Sequence, residues 1–137
     1  MTGDGGTYTL IVTLREPVSL VVGALGEVTL PAGAYAYTGS ALGSGGFARL
    51  DRHRRLAAGD SDTRHWHVDY LLGHPAATLF DVITSPGRDV ECAVAERLGH
   101  GPIPGFGASD CDCESHLAHQ YSPSELAAAA RSAHDVV

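Results

Sequence analysis

Arg49, Arg52, Arg54 and Arg55 fall within seven consecutive residues, with His53 among them. A guanidinium offers a rigid fork of donors that matches the oxygens of a phosphate. The preceding stretch, residues 39–46 (GSALGSGG), consists almost wholly of small residues. Such a backbone can turn tightly and approach a ligand closely. Arg49 and His53 are four positions apart, so on a helix they share one face, and Arg52 follows Arg49 by three. Together these residues could grip a phosphate, with Gly39, Ser40, Arg52 and Arg54 as the substrate-binding set. Taken alone, the arginines would equally make a solvated basic helix face.

Two further clusters carry chemistry. His65, His67 and Asp69 lie within five residues. On a strand all three share a face; on a helix only His65 and Asp69 do. His65 is then a second active-site histidine or a metal ligand. The alternative is a helix start in which His65 bonds Asp69 while Trp66 and Tyr70 enter the core. Cys111, Cys113 and His116, joined by Cys92, could form a tetrahedral zinc site. This CxCxxH spacing is denser than in common zinc fingers, and Cys92 is distant in sequence. Unpaired cysteines are also often buried as small hydrophobes. Ser109, Asp110 and Ser115 add hydrogen-bonding groups for a phosphate or a base. Glu91 and Glu96 are five apart, so on one helix they cannot both face the same site.

The elements that must position these residues follow from pattern. Residues 7–14 (TYTLIVTL) have the β-branched and aromatic content of a strand. Residues 18–22 and EVTL (27–30) predict two more, with a turn between Gly23 and Gly26, and residues 34–38 (AYAYT) another after Pro31 and Gly33. Tyr35 and Tyr37 then share one face of that strand. The first third is thus a meander of three or four antiparallel strands. Residues 47–59 predict a helix ended by Gly59, and residues 64–73 a short helix after Asp62 or Thr63, with a strand as its rival. Residues 77–84 predict a buried strand, SPGRD a turn, and residues 90–99 a helix. SDCDCESHLAH (109–119) reads as a compact polar segment, and an Ala-rich, loosely attached helical tail follows from Pro123. The fold class is α+β: a small mixed or antiparallel sheet flanked by helices. The domain spans residues 1–121, with a C-terminal helical tail over 122–137.

Composition narrows the setting. The 137 residues are 44% hydrophobic, enough for one domain with a real core. All nine basic residues are Arg, Asp outnumbers Glu, and the net charge is −7. That is the wrong sign for a simple nucleic-acid binder. A Lys-free, Asp-rich surface suits a very salty cytoplasm such as that of a halophilic archaeon. At ~1 M salt the Debye length is roughly 3 Å, so local Arg contacts outweigh net charge. A GC-rich genome favouring Arg codons would produce the same bias. Three cysteines, an odd count, argue against a disulfide framework. No transmembrane run and no basic, then apolar, leader is present, so a cytoplasmic location is expected and no membrane partner.

GTY (residues 6–8) and YTG (37–39) resemble the two tripeptides that name the GIY-YIG nucleases, with Thr at each middle position. In that family the second tripeptide is followed by a helix bearing Arg and, four residues on, His or Tyr; Arg49 and His53 fit. A later helix carries a metal-binding Glu, a role open to Glu91 or Glu96. The strings AYAYTGSALGSGG, RHWHVDYLL, EC and PGFGASDCDCESHL are similar to a small branch of the family. That branch occurs as single-domain archaeal proteins and fused to endonuclease-III-type glycosylases. The similarity covers about residues 6 to 119. It implies a GIY-YIG-like fold and a metal-dependent endonuclease that hydrolyses phosphodiester bonds in DNA, in repair or processing. The non-catalytic alternative is a nucleic-acid-binding module of the same fold, with zinc as a structural metal. The resemblance makes Tyr8 the general base or the group that positions the water. Tyr37 supports it, Arg49 stabilises charge on the phosphate, His53 orients Tyr8 or a water, and His65 is a second histidine. Glu91, with Glu96 as the alternative, would hold Mg²⁺ or Mn²⁺. Tyrosine ordinarily ionises near pH 10, so a base role needs a cation or a His beside it. Tyr8 and Tyr37 stand 29 positions apart, more than the family's usual connection, so an extra hairpin is expected over about residues 15–30.

Overall fold

The centre of the molecule is a strand buried on both faces. A computed structural model of the chain describes residues 5–21, 26–40, 53–55, 58, 71–74, 76–98, 117–120 and 122–136. In it, β1 (Gly6–Leu14) lies between β4 (Gly33–Ser40) and β5 (Ala77–Pro86), antiparallel to both. A fourth strand, β6 (Leu117–Gln120), pairs antiparallel with the far side of β4, giving the order β5-β1-β4-β6. The connection between β1 and β4 holds β2 (Val18–Val21) and β3 (Glu27–Leu30), which pair as a separate two-stranded sheet. This is the hairpin that the long spacing of Tyr8 and Tyr37 calls for. The fold is α+β, and the sheet described is antiparallel throughout.

Side-chain alternation divides β1 between two cores. Tyr8, Leu10, Val12 and Leu14 join Val18, Leu30, Tyr35, Tyr37, Leu71, Leu72 and Leu117 on one face. Ile11 joins Ala34, Ala36, Ile83, Leu126 and Ala130 on the other. Leu10, Ile11 and Val12 in succession are fully buried. Each such side chain contributes about 1.5–3 kcal/mol relative to exposure, which explains the near-continuous apolar run of a central strand. On β5, the register against β1 shifts between Ile11 and Val12, leaving Phe80 as the extra, half-exposed residue of a bulge.

Two helices are described beside the short helical pieces at 53–55 and 71–72. The first, α1 (Glu91–Leu98), carries Glu91 in its first turn and Arg97 in its last, both favourable to the helix dipole. The second, α2 (Pro123–Val136), opens on a serviceable cap: Pro123 takes the first helical position, and the Ser122 hydroxyl accepts from the Glu125 amide at 3.3 Å. Leu126, Ala127, Ala130, Ala133 and His134 form its buried stripe. The expected helical tail is therefore present, but it is packed into the second core rather than loosely attached.

Three other expectations need correction. Residues 117–119, read as the end of a compact polar segment, belong to strand β6 (Leu117–Gln120). Four residues carry little pattern of their own, and pairing with the edge of β4 decides the conformation. Ser85 and Pro86, read as the start of a turn, still belong to β5, and the chain turns at Gly87, whose φ of 72° suits glycine. The strand expected over residues 34–38 extends at both ends to Gly33–Ser40.

Candidate functional site

Tyr8 is the third residue of β1, and its cross-strand partner on β4 is Gly39. A Cβ at Gly39 would lie 2.7 Å from the Tyr8 hydroxyl and 2.8 Å from its Cζ. The phenol therefore lies across the bare backbone of β4, which only glycine permits. Tyr37, two residues earlier on the same strand and face, packs beside it with ring centroids 6.4 Å apart. The third partner is His53, fully buried in the helical piece 53–55. The Tyr8 hydroxyl and His53 Nε2 are 2.9 Å apart, a buried hydrogen bond between groups 45 residues apart in sequence. Their ring centroids are 5.5 Å apart. Tyr8 and His53 are 1% and 0% exposed, so the pair is shielded from bulk water, where such a bond is strongest.

The structure thus gathers Tyr8, Tyr37, Gly39 and His53. Ser40 ends β4, opposite Thr7. Arg54, next to His53, is exposed. Glu91 begins α1 and is half-buried, whereas Glu96 is exposed. The amide of Val90 donates to Thr7 Oγ1 at 3.0 Å, which anchors the start of α1 to the residue preceding Tyr8. Arg49, Arg52, His65, Cys111, Cys113 and His116 lie outside the described residues, as do His67 and Asp69. Cys92 is half-buried on α1. Among the described residues, no group of three or more His, Cys, Asp or Glu is gathered where it could hold a metal ion.

Tyr35 shares a face with Tyr37 but does a different job. Its hydroxyl donates to the Pro31 carbonyl, and its ring packs at a tilt of 40° against His119 of β6, with centroids 4.7 Å apart. It is a fully buried core residue.

A second polar cluster lies behind β1, and the sequence reading missed it. His134 of α2 is 4% exposed. Its Nε2 lies 2.8 Å from Thr9 Oγ1 and its Nδ1 2.7 Å from Ser85 Oγ. Thr9 Oγ1 in turn lies 3.0 Å from Thr38 Oγ1 on β4. The one available signal was His134's place on the apolar stripe of α2, in register with Leu126, Ala127, Ala130 and Ala133.

Burial depresses the pKa of His134 below 6.5; the Arg88 charge adds to this and Asp135 opposes it. The folded pKa is thus below the unfolded one. The stability that neutral His134 contributes is fully present above 6.5 and is lost as pH falls towards the folded value. The urea midpoint is expected to fall between about pH 7 and about pH 5, with a shallower fall in His134→Gln. Equal falls in both proteins would show that His134 is not the group responsible.

The chain belongs to the family described as a domain of unknown function, DUF123, whose model matches residues 7–137. That range includes α2 and all of the four-stranded sheet except Gly6. Neither the curated proteins nor the solved structures provide a match. Among the described residues, no helix is long and apolar enough to cross a membrane.

Proposed function

We propose that this chain is an endonuclease of the GIY-YIG type that hydrolyses phosphodiester bonds in DNA, in repair or processing, with Mg²⁺ or Mn²⁺ held at Glu91. The observation that carries the reading is the buried Tyr8–His53 hydrogen bond, seated over Gly39 and flanked by Tyr37. A phenol is a poor base at neutral pH, and a neutral imidazole within hydrogen-bond distance supplies what it lacks. With Nε2 unprotonated, His53 accepts the phenolic proton as Tyr8 takes one from the attacking water. Tyr37 walls the phenol and limits its rotation. Arg49 and Arg54 would meet the charge on the phosphate. A divalent cation, when bound, polarises the phosphate and stabilises the leaving oxygen.

The same burial favours a second reading. A tyrosine and a histidine at 1% and 0% exposure could be a core hydrogen bond in a non-catalytic nucleic-acid-binding module. The two readings part in one assay. The full chain is incubated at high salt with plasmid, single-stranded DNA, branched DNA and RNA, each with Mg²⁺ or Mn²⁺. Cleavage of at least one DNA, abolished by Glu91→Gln, is the expected outcome. Retention of binding without cleavage of any substrate would leave the non-catalytic module.

Salt sets the scale of binding. Each phosphate neutralised contributes about −0.9 to the slope of log K against log salt on duplex DNA. With nine Arg and a net charge of −7, equilibrium binding to random duplex in molar salt is expected to be weak. Affinity would then come from DNA shape or an associated partner.

A further inference from the structure

We infer that the polar seam behind β1, closed by His134, is the device that positions Tyr8 and the start of α1, which makes His134 a positioning residue for the site on the opposite face of the sheet. The inference rests on the function proposed above for the catalytic part of its test, but its geometry stands by itself. The seam runs from Ser85 on β5 through the His134 imidazole to Thr9 on β1 and Thr38 on β4. One side chain from α2 thereby ties β5 to β1, and Thr9 carries the connection on to β4. Thr9 and Thr38 are cross-strand partners, so their bond fixes the β1–β4 register. Thr9 is the next residue after Tyr8, and Thr38 sits between Tyr37 and Gly39. Register is what keeps Tyr8 over Gly39: a slip would set the ring against a residue with a Cβ, and side chains would change faces.

The seam also reaches Glu91. Thr7, on the other side of Tyr8, donates to the Arg88 carbonyl at 2.9 Å and accepts from the Val90 amide. The Arg88 guanidinium then donates to the His134 carbonyl at 3.0 Å, which closes a loop through α2. Both neighbours of Tyr8 are thus held from behind. The segment leading into Glu91 is held by Thr7 and by the backbone carbonyl of His134, beside the imidazole seam rather than through it. An imidazole suits this post because its two ring nitrogens can engage two hydroxyls at once.

The test compares His134→Leu, His134→Gln and Thr38→Val in the full chain, at a temperature where circular dichroism shows equal folded fractions. The readouts are the Tyr8 and His53 ring signals by NMR, and kcat and KM separately on a DNA that the wild type cuts. His134→Leu and Thr38→Val are expected to shift the Tyr8 and His53 ring signals. They should lower kcat by about tenfold to a hundredfold, the scale of a site misplaced by about 1 Å, with KM nearly unchanged. His134→Gln, whose amide can still bond a hydroxyl, should recover most of kcat. A folded His134→Leu or Thr38→Val with wild-type ring signals and wild-type kcat overturns the inference. Should His134→Leu fail to fold, Thr38→Val decides by the same readouts. If the wild type cuts nothing, the proposed function falls and the ring signals alone decide on the seam: shifted in the disrupting variants and restored in His134→Gln, it stands; unshifted, it falls.

Discussion

Replacing Tyr8 with Phe is expected to lower phosphodiester cleavage by about 10²- to 10⁴-fold, the range for loss of a general acid–base group. The substitution removes one oxygen and keeps the ring that fills the space over Gly39. What it deletes is the hydroxyl bonded to His53 Nε2. Leaving a buried polar atom without that bond costs about 1–3 kcal/mol, so the urea midpoint should fall as well. The two effects are separable, because cleavage can be measured well below the unfolding transition. A structural role predicts the stability loss with cleavage kept within a few-fold; a catalytic role predicts both. Loss of stability with full cleavage would therefore remove Tyr8 from the chemistry.

Gly39→Ala should have the next largest effect, and by a different route. Alanine normally strengthens a strand relative to glycine by roughly 0.5–1 kcal/mol. Here the added methyl would meet the Tyr8 hydroxyl at 2.7 Å, Tyr8 Cζ at 2.8 Å and Tyr37 Cε2 at 3.0 Å. These atoms belong to buried rings held by their neighbours, so the contact is relieved only by moving Tyr8. Overpacking of this kind costs about 1–3 kcal/mol, which outweighs the backbone gain. Because the displaced group is the phenol itself, cleavage should drop about a hundredfold, even though residue 39 contributes no side chain to the chemistry. Wild-type stability and cleavage in Gly39→Ala would show that Tyr8 has room to move and that its present seat is not required.

Much of the fold was legible because its signals are local. TYTLIVTL reads as a strand from β-branched content, and β1 is that strand. The helix after Pro123 reads from its Ala-rich run, and the Ser122 cap confirms where it starts. The inserted hairpin followed from the spacing of Tyr8 and Tyr37. Features decided by tertiary pairing were not legible. β6 is a strand because β4 offers it an edge, not because LAHQ prefers to be one. The separate roles of Tyr35 and Tyr37 depend on what packs above each: His119 over the first and Tyr8 beside the second. The Tyr8–His53 pairing spans 45 residues and was reachable only through family resemblance. His134 had no motif around it. Its importance comes from two hydroxyls on strands β1 and β5, distant from it in sequence.

The proposed function requires Tyr8, His53 and Glu91 to share one cation-binding pocket, and titration of the full chain with Mn²⁺ under NMR tests that most directly. Paramagnetic broadening falls steeply with distance, so it reports where the ion sits. The ring signals of Tyr8 and His53 are expected to broaden first. His119, packed against Tyr35 towards the other end of β4, should keep its signals. Glu91→Gln should abolish the effect at low Mn²⁺. Broadening centred away from Tyr8 and His53, or broadening there that survives Glu91→Gln, would contradict the account.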